Sequence, residues 1–147
     1  MSTKWLDMSL RDFQSALASS SPTPGGGTAA AVALGQASAL TLMVCDLTLG
    51  KENWSDGWPI AEKAVMSAIK IMSRAGDLAD EDSDSFEEVM QSFKLPKNDD
   101  DEIQNRRNQI RKCTLVAAEV PFETATMALE LIELLPELAK KGNSNAC

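Results

Sequence analysis

The sequence predicts an all-α fold: a dimeric, multihelical bundle in which a buried central helix of small residues is flanked by two long, kinked helices. Three observations carry that expectation. An uncharged run from Thr28 to Cys45, rich in Ala, Gly, Ser and Thr, follows a Pro-Thr-Pro-Gly-Gly-Gly turn in a chain where 24% of residues are charged. Two long stretches after it repeat apolar residues at helical spacing. No segment alternates apolar and polar residues as a half-buried strand does. At 147 residues, 44% of them hydrophobic, one domain over residues 1–147 is expected.

Leu10, Phe13 and Leu17 share a helical face, and Ser9 followed three residues later by Asp12 resembles a capping box, so a short amphipathic helix is expected over 9–19. Pro22 and Pro24 fix two backbone angles, and Gly25, Gly26 and Gly27 let the backbone approach closely to another group. Thr28 is placed to cap a helix over 28–50 that is small or apolar on every side, which suits burial among other helices. Length alone would allow this run to cross a membrane, but Gln36, Ser38 and Thr41 interrupt it and its small residues give little transfer energy, so no membrane is expected. The glycines lack a following GK[ST] and a preceding strand, which argues against a nucleotide P-loop.

Ser55 or Asp56 is placed to cap the next helix, with Pro59 in its first turn. Its apolar stripe is read at Ala61, Val65, Ala68, Met72, Ala79, Phe86, Val89 and Phe93, and Gly76 weakens it at mid-length. Carried forward from Ala79, the stripe turns Asp82 or Ser83 inward and leaves Asp84 and Glu87 in water. Pro96 ends the helix. Asp99, Asp100, Asp101 and Glu102 suit a new helix N-terminus, and Ile103, Ile110, Ala117, Thr124, Leu131 and Leu138 then recur every seven residues to about 140. Pro121 and Pro136 are expected to kink this helix, and Gly142 to stop it. So much apolar seam points to a homodimer.

A net charge of −8 and a pI near 4.5 argue against nucleic acid as partner. Cys45, Cys113 and Cys147 are odd in number and share no short spacing, which fits neither a disulfide framework nor a zinc site and suits a reducing cytoplasm. Asp7, Arg11 and Asp12 interrupt any secretory h-region. With no histidine and no tyrosine, imidazole chemistry is excluded, and proton transfer falls to Asp, Glu, Lys, Cys or water. The residues placed at breaks between helices, where pockets of helical proteins form, are the glycine turn, Asp82, Lys51 and Lys97, with Asp46 a lone acid in the central helix.

Six motifs, SPTPGGGTAAA, LTLGK, DEDSDSF, FKLPK, AAEVPFE and KGNSNA, occur in an order and spacing that resemble the formiminotransferase-cyclodeaminase / methenyltetrahydrofolate cyclohydrolase family from about Leu10 to Ala146. The resemblance implies an all-helical, dimeric, metal-free enzyme with no cofactor, whose small-molecule substrate is a tetrahydrofolate derivative. Such enzymes either close the formimino form to the methenyl form with loss of ammonia, or hydrate the methenyl bridge to the formyl form. Both routes pass through a tetrahedral carbon between two nitrogens and need protons moved.

By motif, the resemblance places Gly25, Gly26 and Gly27 against substrate and Lys51 and Lys97 near its anionic tail or beside a titrating group. It also makes Arg106 a basic contact and Asn143 a pterin contact. Asp80 and Asp82 match an acidic D-x-D. Asp82 is the expected proton-transfer residue, because the stripe independently turns it inward, and Lys97 its expected catalytic companion. Family members continue past GNxNA into a Ser-Asp pair and a further helix, so the resemblance is to a C-terminally short member, and Arg111 stands where glutamine is common. The competing expectation is a helical binding or assembly module on the same scaffold without catalysis.

Overall fold

A computed structural model describes residues 4–146; Cys147 lies outside them. Among the described residues, four α-helices and two short 3-10 turns account for the secondary structure, and no strand occurs. The fold is all-α. The helices are α1 (Leu10–Leu17), α2 (Gly26–Thr48), α3 (Trp58–Ser92) and α4 (Asp100–Lys141).

Local chemistry explains most of the boundaries. At α1 the Ser9 hydroxyl accepts from the Asp12 N–H at 3.1 Å and donates to the Asp12 carboxylate at 2.6 Å. The Asp side chain, one methylene shorter than Glu, thus meets the cap hydroxyl itself. Helix α2 ends where Gly50 takes a φ of +71°, a left-handed conformation that side chains disfavour. Pro59 sits in the first turn of α3, where its missing N–H leaves no bond unmade. At α4, Asp99 Oδ1 accepts from the Glu102 N–H while Glu102 Oε2 accepts from the Asn98 N–H, both at 2.8 Å. Acids in its first turn and Lys140 and Lys141 in its last complement the helix dipole. Each of α3 and α4 runs as one helix, through Gly76 and through Pro121 and Pro136.

The chain divides into two compact units, and α2, α3 and α4 contribute to both. The first comprises residues up to Ala31 together with Gly76–Glu123; the second comprises Val32–Ala75 and the residues from Thr124. The second unit packs three helical segments around Cys45, Ile60, Ala61, Ala64, Leu134 and Leu138, with Leu34, Ala68, Ile71 and Leu131 forming a further cluster. Small residues allow close approach there: a β-carbon placed on Gly35 would lie 3.4 Å from that of Ala75. In the first unit Trp5 is buried and meets Phe13 edge-on, with ring centroids 6.1 Å apart.

Three expectations need correction. Helix α2 is not enclosed on every side in the single chain: Thr28, Ala31, Leu34, Ser38, Thr41, Cys45 and Thr48 are buried, whereas Leu40, Met43 and Leu47 are exposed. Thr28 is not a cap, because the helix already begins at Gly26. The buried stripe of α3 is not the one read from its large residues. Ala61, Ala68 and Ala79 are buried as read, but Met72, Phe86 and Phe93 are exposed, because the buried face passes one residue before each of them, through Ile71, Ser85 and Ser92.

Candidate active site

The glycine turn belongs to the first unit, where it is tied to α3 at two points. Thr23 donates from its hydroxyl to Glu87 Oε1, and Thr28 donates to Asp82 Oδ2, each at 2.9 Å. Thr28 bonds outward for a simple reason. A hydroxyl inside a helix commonly bonds the carbonyl four residues back, but four residues before Thr28 is Pro24, outside the helix, so its hydroxyl turns to α3.

Gly27 stands where the two elements come closest. A β-carbon there would collide with the Asp82 carboxylate, whose Cγ would lie 2.6 Å away. The glycine is therefore required by the acid opposite it, and the acid lies against the first turn of α2, where the helix dipole is positive. Pro22, Thr23, Gly25, Gly26, Gly27, Asp82, Phe86 and Ala117 line a cleft of about 180 Å³.

The two acids of the D-x-D motif have different partners. Asp80 Oδ1 accepts from the backbone N–H of Trp5 at 2.9 Å and so anchors the N-terminal segment. Asp82 is half-buried and lines the cleft. As expected from periodicity, Asp82 turns inward while Asp84 and Glu87 are exposed.

The remaining residues singled out in the sequence sit elsewhere or are otherwise occupied. Lys97 is exposed in the loop between α3 and α4 and is not among the residues lining the cleft. Arg106 donates from Nε and Nη2 to the Phe93 carbonyl, at 3.3 and 3.1 Å, and stacks 5.6 Å over the Phe93 ring, which caps the C-terminal end of α3.

Lys51 and Asn143 belong to the second unit. Lys51 is exposed beyond the end of α2. Asn143 closes that end: its N–H donates to Thr48 Oγ1 at 3.0 Å, its Nδ2 to the Leu47 carbonyl at 2.9 Å, and its Oδ1 accepts from the Asn145 N–H. Asp46 is exposed, and burial, followed by the Asp46 charge, pushes the neighbouring Cys45 thiol up, which keeps it an unreactive core group. Sequence reasoning assigned no site role to Thr28, Ser83 or Trp5. Only Ser83 carried a signal, as the alternative inward step of the α3 stripe.

Residues 9–147 match the family model described as formiminotransferase-cyclodeaminase. The chain is 34% identical over 136 residues to a methenyltetrahydrofolate cyclohydrolase of Methylorubrum extorquens, covering 92% of this chain and 65% of that protein. It is 30% identical over 138 residues to the mouse formimidoyltransferase-cyclodeaminase, covering 94% of this chain and 26% of that protein. The crystal structure of formiminotetrahydrofolate cyclodeaminase from Thermotoga maritima matches with a TM-score of 0.73 and 32% identity, over 95% of this chain and 65% of that one. The match to the family model over nearly the whole chain, with relatives and a solved structure at 30–34% identity, settles the membership: the protein belongs to the formiminotransferase-cyclodeaminase family.

Proposed function

We propose that the protein is an enzyme of folate one-carbon metabolism that works at the tetrahedral carbon between two folate nitrogens, with Asp82 as its acid–base group. The observation that carries this reading is the Asp82 carboxylate held against the glycine turn in a cleft also walled by Phe86. At about 180 Å³ the cleft is smaller than the roughly 300 Å³ at which whole-ligand pockets begin, so it receives the reacting end of the substrate only. Phe86 offers a flat apolar face to the pterin ring.

In the hydrolytic direction, water is deprotonated by Asp82 as its oxygen bonds to the methenyl carbon, giving a neutral carbinolamine. The carbon–nitrogen bond then breaks as the carbinolamine hydroxyl loses its proton and the departing nitrogen gains one from Asp82. The net products are the formyl compound and one proton released to solvent. In the cyclising direction the same carboxylate serves attack by the second nitrogen and departure of ammonia. Lys97, an exposed cation on the loop after α3 and in the same unit as the cleft, is assigned to the anionic glutamate tail.

The protein is further proposed to act as a homodimer, in which a second copy covers the exposed α2 face. Leu40 of that face lines an apolar groove of about 380 Å³ with Val44 and Leu135, and light scattering should give twice the 15.8 kDa chain mass. The test of function is spectrophotometric: purified protein should accelerate the loss of methenyltetrahydrofolate absorbance, or form it from the formimino compound with release of ammonia. Rates equal to the uncatalysed ones, with no folate bound, would leave the non-catalytic module.

A further inference from the structure

Behind Asp82 lies a run of polar groups that the proposed chemistry has not used. Trp5 donates its indole Nε1–H to Ser83 Oγ at 2.9 Å, Ser83 Oγ lies 2.9 Å from Thr28 Oγ1, and Thr28 donates to Asp82 Oδ2 at 2.9 Å. Trp5 and Ser83 are buried, and Thr28 is fully so. The bonds join three separate segments of the first unit, at positions 5, 28 and 82–83.

The direction of every bond follows from the groups themselves. An indole N–H only donates, and an ionised carboxylate only accepts. Thr28 has a single hydroxyl proton, already given to Asp82, so at the Ser83–Thr28 contact Ser83 must be the donor. At the Trp5 contact Ser83 only accepts, so its own hydroxyl proton is not spent there. All three protons therefore point the same way, from Trp5 toward Asp82. The chain cannot conduct a proton, since its far end is an indole that accepts none. It is a fixed orienting device.

We infer that Trp5, Ser83 and Thr28 are positioning residues that assign different tasks to the two oxygens of Asp82: Oδ2 is held by the chain, and Oδ1 does the proton transfer. Oδ1 is the oxygen nearer the place a Gly27 β-carbon would take, and both Gly27 and Asp82 line the cleft. A proton arriving on Oδ1 leaves every bond of the chain intact, whereas one arriving on Oδ2 would displace the Thr28 hydroxyl. The carboxylate thus keeps one orientation through both halves of a proton-transfer cycle, with no rearrangement at the moment of reaction. This inference rests on the proposed folate chemistry at Asp82.

The test compares Thr28→Val, which keeps shape and removes the hydroxyl, with Thr28→Ser, which keeps the hydroxyl, and with Ser83→Ala and Trp5→Phe farther back. For the positioning role, kcat for methenyltetrahydrofolate hydrolysis falls about ten- to a hundredfold in Thr28→Val while KM stays within about twofold, and Thr28→Ser stays within about threefold of wild type. Ser83→Ala and Trp5→Phe give smaller kcat losses in that order. If Thr28→Val does not fold, the graded losses in Ser83→Ala and Trp5→Phe decide. Equal kcat per folded molecule across the series, with only melting temperature changed, overturns the inference while the folate reading stands. Absence of turnover in the wild type overturns both.

Discussion

The buried stripe of α2 carries hydroxyls along its length, and its first turn differs from its interior in what they bond. Ser38, Thr41 and Thr48 each donate to the carbonyl four residues back, at 2.8–2.9 Å, so their protons are used within the helix. Thr28 has no such helical carbonyl behind it and donates to Asp82 on α3. The same residue type on the same face is filler in the interior and a tether at the start. What separates them is whether a helical carbonyl lies one turn back to take the hydroxyl proton. Sites built at helix ends inherit that freedom.

The sharpest way to break this contrast is at Gly27. In Gly27→Ala the new β-carbon meets the Asp82 carboxylate, which Thr28 holds, so either the acid or the turn must shift. A misplacement of that size lowers turnover by at least about tenfold, measured as kcat on protein whose circular dichroism matches wild type.

Next in size is Thr48→Val. Thr48 Oγ1 also accepts from the Asn143 N–H, so the loss leaves a half-buried donor unpaired and lowers unfolding free energy by about 1–3 kcal/mol in a denaturant titration, without a change in kcat. Ser38→Ala should do least. Its hydroxyl bonds only its own helix, and the expected change is within about 1 kcal/mol, with activity unaltered. A large kcat loss in Ser38→Ala would erase the distinction between the two parts of the helix.

Much of this was legible in the sequence because it depends on local rules. Ser9 and Asp12, Pro59, the acidic run before α4 and Gly50 mark helix ends through caps, a missing donor, the dipole and a left-handed residue. Asp82 was legible because helical periodicity carries over short distances from Ala79. Over 35 residues the same method slipped on α3: it kept Ala61, Ala68 and Ala79, which are buried, but took Met72, Phe86 and Phe93 where the buried positions lie one residue earlier, at Ile71, Ser85 and Ser92.

Arg106 and Asn143 were matched through their motifs, and here their polar groups serve the backbone: Arg106 holds the Phe93 carbonyl, and Asn143 holds the Leu47 carbonyl and the Thr48 hydroxyl. The Trp5–Ser83–Thr28 chain was invisible, because its bonds span 55 to 78 residues and no spacing rule joins positions so far apart.

The central claim is that the Asp82 carboxylate moves the proton, and turnover of folded Asp82→Asn tests it most directly. The account predicts a kcat about 10²- to 10⁴-fold below wild type with KM little changed. Wild-type turnover in that variant would contradict it.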